Sequence, residues 1–347
     1  MKQDLTQNIL SIIGSNSNNE QALVQALKKL LYDLDEHLPI EASYSLESIV
    51  AQQLQNLIAP SFDNNLIKTG YRDFDKAFGG LSCGELAVIG GRPSMGKTQF
   101  LVNLVLNIAN NTPVLYFSFD LSLSMLSSRF LAAKTGIANQ KILQNKLDDQ
   151  EKQILTTATN DLKSYPIFVN DKGYNSLSAI KEESKKQIEQ NGVKVIVVDY
   201  LQLMRFHQYR YDRVLEIGYI TRALKMMAKE LDVCVIAASQ LNRSVETRSK
   251  ESKVPQLADL RESGAIEQDA DKVMLLYRPS YYGIHNDEMG NPIDGETHLF
   301  MAKNRNGIVD TIKLIFDKNF ATINDYDDTL NSFSFDQTRV SQMFKPF

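Results

Sequence analysis

The octapeptide GRPSMGKT at Gly91–Thr98 constrains the fold more than any other stretch of this 347-residue chain. It fits the pattern G-x-x-x-x-G-K-[ST]. It lies between ELAVIG, an apolar run that reads as a buried strand, and a segment whose Phe100, Leu101, Leu104, Val105 and Ile108 recur at helical spacing. Glycines at such a strand-to-helix turn let backbone N–H groups point inward, where they cradle phosphate oxygens. Lys97 adds a point charge near the β- and γ-phosphates, and Thr98 offers a hydroxyl to Mg²⁺. The helix opening at Lys97 aims the positive end of its dipole at the same anion. Gly91, Arg92, Pro93, Ser94, Met95, Gly96, Lys97 and Thr98 are therefore the expected nucleotide-binding residues, with ATP and Mg²⁺ as the expected cofactors.

A phosphate loop needs an acidic group to hold its metal. The run VKVIVVDYLQL supplies one, since Asp199 ends an apolar strand, the place where ligands of open α/β sheets bind. Thr98 and Asp199 are thus the expected metal-side pair.

Short apolar strands and amphipathic helices alternate from about residue 68, which predicts an α/β fold around a mostly parallel sheet. Strands are expected at Glu85–Gly90, Pro113–Phe119, Tyr165–Asn170, Lys194–Asp199, Val233–Ser239 and Lys272–Tyr277, with helices near 97–109, 122–135, 177–190 and 212–231. Near the end, Asn306-Gly307 separates two alternating runs, the signal of a C-terminal β-hairpin with a two-residue type I′ turn. Residues 1–60 read as a small helical region, 61–67 as a linker, 68–325 as the main domain and 326–347 as a flexible tail. Within the first region, 45–58 shows helical spacing of Leu46, Ile49, Val50, Leu54 and Leu57.

Composition narrows the class further. Hydrophobic residues at 43% and charged residues at 23% suit a folded soluble protein, and no apolar run is long enough for a membrane span. The start MKQDLTQNIL does not read as a secretory signal, and Cys83 and Cys234 are too few for a disulfide framework or zinc cluster, so the cytoplasm is the expected location. The net charge of −4 means that any nucleic-acid contact must come from local loops.

Several blocks then line up with one family. TGYRDFDKAFGGLSCGEL, RPSMGKT, VIVVDYLQLM, LKMMAKELDVCVIAASQLNRSVE, LADLRESGAIEQDADKVMLLYR and AKNRNG resemble, in order and spacing, the motor domain of DnaB-type replicative helicases over about residues 66–325. The resemblance implies a RecA-like ATPase core. Such cores commonly keep a Glu after the second strand to orient the attacking water; here VLYFSFD ends in Asp120, the candidate catalytic base, with a helix N-cap as the alternative.

It also implies roles for Gln240, as sensor of the γ-phosphate, and for Arg261, Glu262 and Gly264, as contacts to the DNA backbone in a central channel. Lys303 and Arg305, two apart on a strand and so on one side of it, resemble the pair that reaches into the neighbouring subunit's nucleotide. Without the resemblance they would read as edge protection. The implied whole is a hexameric, ATP-driven helicase moving 5′ to 3′ on single-stranded DNA. A helicase loader and a primase are its partner classes; only about 60 residues precede the motor, so the primase-binding region looks shortened. Two readings compete: a RecA-like DNA-dependent ATPase that does not unwind, and an adaptor that binds ATP as an assembly signal with weak hydrolysis.

Overall fold

The computed structural model describes residues 11–14, 22, 23, 26, 45–58 (side chains of 52, 53, 56 and 57 excepted), 66–172, 176–206, 209, 211–248, 253–260, 264–317 and 322–326. The chain divides into two units, Met1–Asp63 and Asn64–Phe347. In the first, helix α1 (Leu46–Ile58) starts at Ser45, whose hydroxyl accepts from Ser48 N–H at 3.1 Å. The apolar spacing read from sequence is real but not buried: Leu46, Ile49, Val50, Leu54 and Ile58 are all exposed. The Leu57 side chain lies outside the described residues.

The second unit begins earlier than the sequence suggested. Leu66 and Ile67, read as the end of a linker, form β1 and pair antiparallel with β2 (Leu81–Ser82) across helix α2 (Arg72–Phe78). Asp75 fixes this entry by accepting from Thr69 N–H, the Thr69 hydroxyl and Gly70 N–H at 2.9, 2.9 and 3.1 Å. Then come β3 (Leu86–Gly91), α3 (Lys97–Ile108), β4 (Val114–Ser118) and α4 (Leu123–Thr135). Two helices not expected from the sequence follow, α5 (Asn139–Leu143) and α6 (Asp149–Leu162). The second starts at a capping box of Asp148 and Glu151 and buries only Ala158. β5 (Ile167–Asn170), α7 (Leu177–Asn191), β6 (Val195–Asp199), α8 (Arg213–Glu230) and β7 (Cys234–Gln240) continue the alternation. The chain closes with α9 (Gly264–Asp269), β8 (Lys272–Tyr277), β9 (Glu296–Asn304), β10 (Thr311–Asp317) and β11 (Thr322–Asp325).

Nine strands form one sheet in the order β11-β10-β9-β8-β3-β7-β6-β4-β5. From β8 to β5 all neighbours are parallel; β9, β10 and β11 extend the sheet antiparallel. All residues of β3, β4, β6 and β8 are buried, as expected where helices cover both faces. One face packs α2, α3 and α4 through Phe74, Phe100, Leu104 and Phe130; the other packs α7, α8 and α9 through Ile180, Ile220, Leu224 and Ile266. Among the described residues no helix is long and apolar enough to cross a membrane.

The hairpin turn departs from its sequence signal. β9 and β10 pair with Phe300 opposite Thr311, and Met301 N–H donates to Asp310 O at 2.9 Å, where the ladder ends. Neither Asn306 nor Gly307 has a positive φ, so the turn is not type I′. The reason is competition: β9 stays paired to β8 as far as Asn304, leaving 305–310 as a connecting loop closed by Asn304 Nδ2 donating to Ile308 O at 3.0 Å.

Candidate functional site

β3 delivers the phosphate loop to the carboxyl end of the sheet. Gly96, at φ 96°, is the N-cap of α3 and brings no side chain to cap the helix, so the first N–H groups of α3 are left for a ligand. A Cβ there would also meet the Phe316 ring at 3.7 Å. Ser94 takes a positive φ of 63° to complete the turn. The loop opens on a cleft of about 610 Å³, within the usual size of small-molecule sites. Pro93, Ser94, Lys97, Thr98, Asp120, Asp199 and Gln240 line it, among others.

Lys97 Nζ donates to Gly91 O at 2.7 Å and Arg92 O at 3.1 Å. Burial brings its ammonium down from the ordinary 10.5 to about 8, with Asp199 opposing and Arg92 adding to the shift. Asp199 is almost fully buried. Burial raises its carboxyl, while hydrogen bonds from the Tyr116 and Thr98 hydroxyls and the charge of Lys97 pull it back. Tyr116 Oη lies 2.8 Å from Asp199 Oδ2. The residues of the expected metal pair, Thr98 and Asp199, both line the cleft, and the Thr98 hydroxyl is near enough to favour the Asp199 carboxylate. Among the described residues no three His, Cys, Asp or Glu side chains converge as cation ligands, so a cation here would draw its remaining ligands from phosphate and water.

Asp120 lines the cleft and is exposed. Its alternative role fails, because Ser122 is the N-cap of α4 and accepts from Met125 N–H at 3.4 Å. Phe119 N–H donates to Asp199 O at 2.9 Å, tying the Asp120 segment to the end of β6. Gln240 ends β7; its N–H donates to Gln202 Oε1 at 3.1 Å, and Gln202 Nε2 reaches Ser239 Oγ at 3.0 Å. Gln202 thus links the turn after Asp199 to the end of β7 at Gln240.

Not every residue of the octapeptide faces the cleft. The buried Arg92 turns away, donating to Glu246 Oε1 at 2.6 and 2.9 Å and to Leu241 O at 2.7 Å. Met95 is buried in the core, and Gly91 is the last residue of β3. Of the loop's residues, Pro93, Ser94, Gly96, Lys97 and Thr98 line the cleft.

Three cleft residues were invisible in the sequence. Arg129 of α4, Asn139 of α5 and Arg278 after β8 line it, and Arg129 Nε, Asn139 Oδ1 and Arg278 Nε are buried without a hydrogen-bond partner. Buried polar atoms without a partner are a costly arrangement, and three of them gather in residues around this one cleft. The Arg278 guanidinium lies 4.0 Å above the Phe316 ring, a flat apolar shelf suited to stacking a base. These features fit a nucleotide.

The other expected residues lie elsewhere. Arg305 Nη1 meets Asp271 Oδ1 at 3.2 Å and Nη2 donates to Gln268 O at 3.0 Å. Lys303 Nζ donates to Glu267 O, Gln268 O and Ala270 O at 2.5, 3.3 and 2.7 Å, using all three of its protons at the carboxyl end of α9. The two side chains do share one side, as their spacing implied. Asp271 N–H donates to Leu86 O at 2.9 Å, so this cluster sits at the amino end of β3, whereas the phosphate loop leaves its carboxyl end. At about 3.3 Å per residue, Leu86 and Gly91 are about 17 Å apart. Arg261 and Glu262 lie outside the described residues; Gly264 opens α9 and is exposed. Arg213, the first residue of α8, donates to Gln202 O at 2.6 Å and pairs with Glu216.

The chain matches the family model described as the DnaB-like helicase C terminal domain over residues 67–325. It is 38% identical to the probable replicative DNA helicase of Trieres chinensis, covering 90% of this chain and 69% of that protein. It is 37% identical to the replicative DNA helicase DnaB of Buchnera aphidicola subsp. Acyrthosiphon pisum (strain APS), covering 83% of this chain but only 62% of that protein. Against the Rickettsia prowazekii (strain Madrid E) DnaB the figures are 33%, 90% and 71%. Among solved structures, one described as an ATPase domain superposes with a TM-score of 0.75 at 30% identity, covering 82% of this chain and all of that one. A DnaB-like replicative helicase, described with its interactions with primase, gives 0.72 at 28%, covering 94% and 76%. The mostly parallel sheet, the phosphate loop at its carboxyl edge and these likenesses agree: the fold is RecA-like, and the chain belongs to the DnaB-like helicase family.

Proposed function

We propose that this chain is the subunit of a ring-shaped, ATP-driven DNA helicase that translocates 5′ to 3′ on single-stranded DNA and separates duplex during replication. The observation that carries this reading is the placement of two half-sites at opposite ends of β3. Arg305 cannot reach its own phosphate loop across about 17 Å of strand. In this reading a second copy brings its own Arg305 to that cleft, as an arginine supplied in trans does for a transferring phosphoryl group.

In this reading ATP lies over Gly91–Thr98 with its base on the Arg278–Phe316 shelf, and Mg²⁺ is held by Thr98 and Asp199. Asp120 orients water, Gln240 senses the γ-phosphate, and Lys303 and Arg305 serve the adjacent copy. Lys303 has to exchange three carbonyl bonds to do so; Arg305 keeps a half-exposed fork. Arg261, Glu262 and Gly264 track the DNA backbone. The ring is a hexamer, its place is the cytoplasm, and a helicase loader and primase are the partner classes to test against it.

The test is ATP hydrolysis with and without single-stranded DNA, with a forked duplex in the same reaction and Lys97→Ala as control. DNA-stimulated turnover with strand separation, both lost in the control, is the expected result. Turnover indifferent to DNA with an intact fork would sink the helicase reading, and tight ATP binding with negligible turnover would favour an adaptor.

A further inference from the structure

Asp271 is buried, with about 3% of its surface exposed, yet it lies outside the nucleotide cleft. Its Oδ2 accepts from Leu86 N–H at 2.8 Å and from Lys225 Nζ at 2.7 Å, and its Oδ1 faces Arg305 Nη1 at 3.2 Å. Its main chain repeats the same connections: Asp271 N–H donates to Leu86 O at 2.9 Å, and Arg305 N–H donates to Asp271 O at 2.8 Å. One residue therefore joins the root of the phosphate-loop strand to the loop that carries Arg305, through backbone and side chain at once.

We infer that Asp271 is a positioning residue that sets the aim of Arg305 and fixes it to the phosphate-loop strand of the same chain. The inference rests on the trans role proposed above for Arg305. A guanidinium has five N–H donors in a rigid fork. Asp271 and Gln268 O hold two of them on one edge, and the side chain remains 48% exposed. The contacts thus orient the cation without burying it. Next to them, Asn306 Nδ2 donates to Glu85 Oε1 at 3.0 Å, and Glu85 pairs with the buried Lys272, so the loop on the far side of Arg305 is pinned to the same strand root. A shift of β3 on nucleotide binding would then move the cation that this chain offers to its neighbour.

The experiment uses the full chain. Asp271→Asn keeps the size of the side chain and an oxygen for Leu86 N–H but turns an amide toward the cations. Its ATP turnover is expected to fall on the order of 10²-fold, the effect of misplacing a reacting group by about 1 Å, with KM for ATP and the thermal melt little changed. The discriminating readout is complementation. Asp271→Asn supplies a sound phosphate loop, and Lys97→Ala supplies a sound Arg305, so mixing the two is expected to restore turnover above either alone.

Arg305→Ala mixed with Lys97→Ala is the control pair. Recovery there without recovery in the Asp271→Asn mixture would overturn the positioning role. No recovery in either mixture would overturn the trans reading itself, and the inference with it. Should Asp271→Asn fail to fold, Asp271→Glu keeps the charge while displacing the fork, and the same loss and complementation are expected. Full turnover of Asp271→Glu would count against the inference.

Discussion

Replacing Asp120 by glutamate moves its carboxylate about 1.5 Å farther into the cleft, the length of one C–C bond. The backbone around it is held firmly enough for that length to matter. Phe119 N–H is bonded to Asp199 O, Ser118 Oγ donates to Leu121 O at 2.7 Å, and Ser122 caps α4. The segment therefore cannot slide forward to make up for a short side chain. If the carboxylate orients the attacking water, a misplacement of about 1 Å costs on the order of 10² in rate. Asp120→Glu is then expected to raise kcat by up to about 10²-fold, about 2.7 kcal/mol off the barrier. Asp120→Asn, isosteric but unable to take a proton, is expected to lower it by roughly 10²–10⁴. Steady-state phosphate release at saturating ATP and single-stranded DNA reads both. Full activity in Asp120→Asn would refute the assignment outright. A slower Asp120→Glu beside a slow Asp120→Asn would keep the base and refute the claim that its reach is limiting.

Lys97 titrates at about 8 because burial disfavours its ammonium, so the charged form is present below that pH and lost above it. ATP affinity at equilibrium is expected to weaken as pH rises through about 8, and an unchanged affinity up to the ordinary lysine range would contradict this. Phe316→Ala removes the shelf beneath Arg278. With base stacking on an aromatic ring worth about 1–3 kcal/mol, nucleotide should bind roughly 5- to 150-fold more weakly, while a triphosphate lacking the base is unaffected. Glu85 and Lys272 form a buried ion pair, so Lys272→Met strands a carboxylate that keeps only Asn306. The cost by urea unfolding is expected at about 3–5 kcal/mol, and the double variant Glu85→Leu/Lys272→Met should recover most of it.

The sheet was readable because its inner strands are buried on both sides and so appear as unbroken apolar runs, VKVIVVD being the clearest. The phosphate loop and Asp199 were placed together for the complementary reason: both close apolar runs at the carboxyl end of the sheet, where the cleft opens. Tyr116 escaped notice because a tyrosine inside an apolar strand looks like core, and only the register of β4 against β6 brings its hydroxyl to Asp199. Arg129 escaped because a basic residue inside the expected helix 122–135 carries no motif of its own, and Asn139 because α5 is short and buries nothing. Lys303 and Arg305 do share one side, as read, although β9 ends at Asn304 and Arg305 lies just beyond it. Their partners are mostly backbone carbonyls, which no side-chain pattern records. Asn306-Gly307 misled because a local turn preference of a few tenths to a kcal/mol yields to the pairing of β9 with β8 over its full length.

The separation of the two half-sites along β3 has a stoichiometric consequence. On the trans role proposed for Arg305, each copy has a face that receives a cation and a different face that gives one, so the contact is heterologous and does not stop at a pair. An open row of copies always holds one complete site fewer than it has members: the copy at one end has a loop with no visiting arginine, and the copy at the other has an arginine with no loop to visit. Closure into a ring completes the missing site. Turnover per chain should therefore be close to nil for isolated copies, climb steeply with concentration as rows lengthen, and reach its full value only when the last gap is shut.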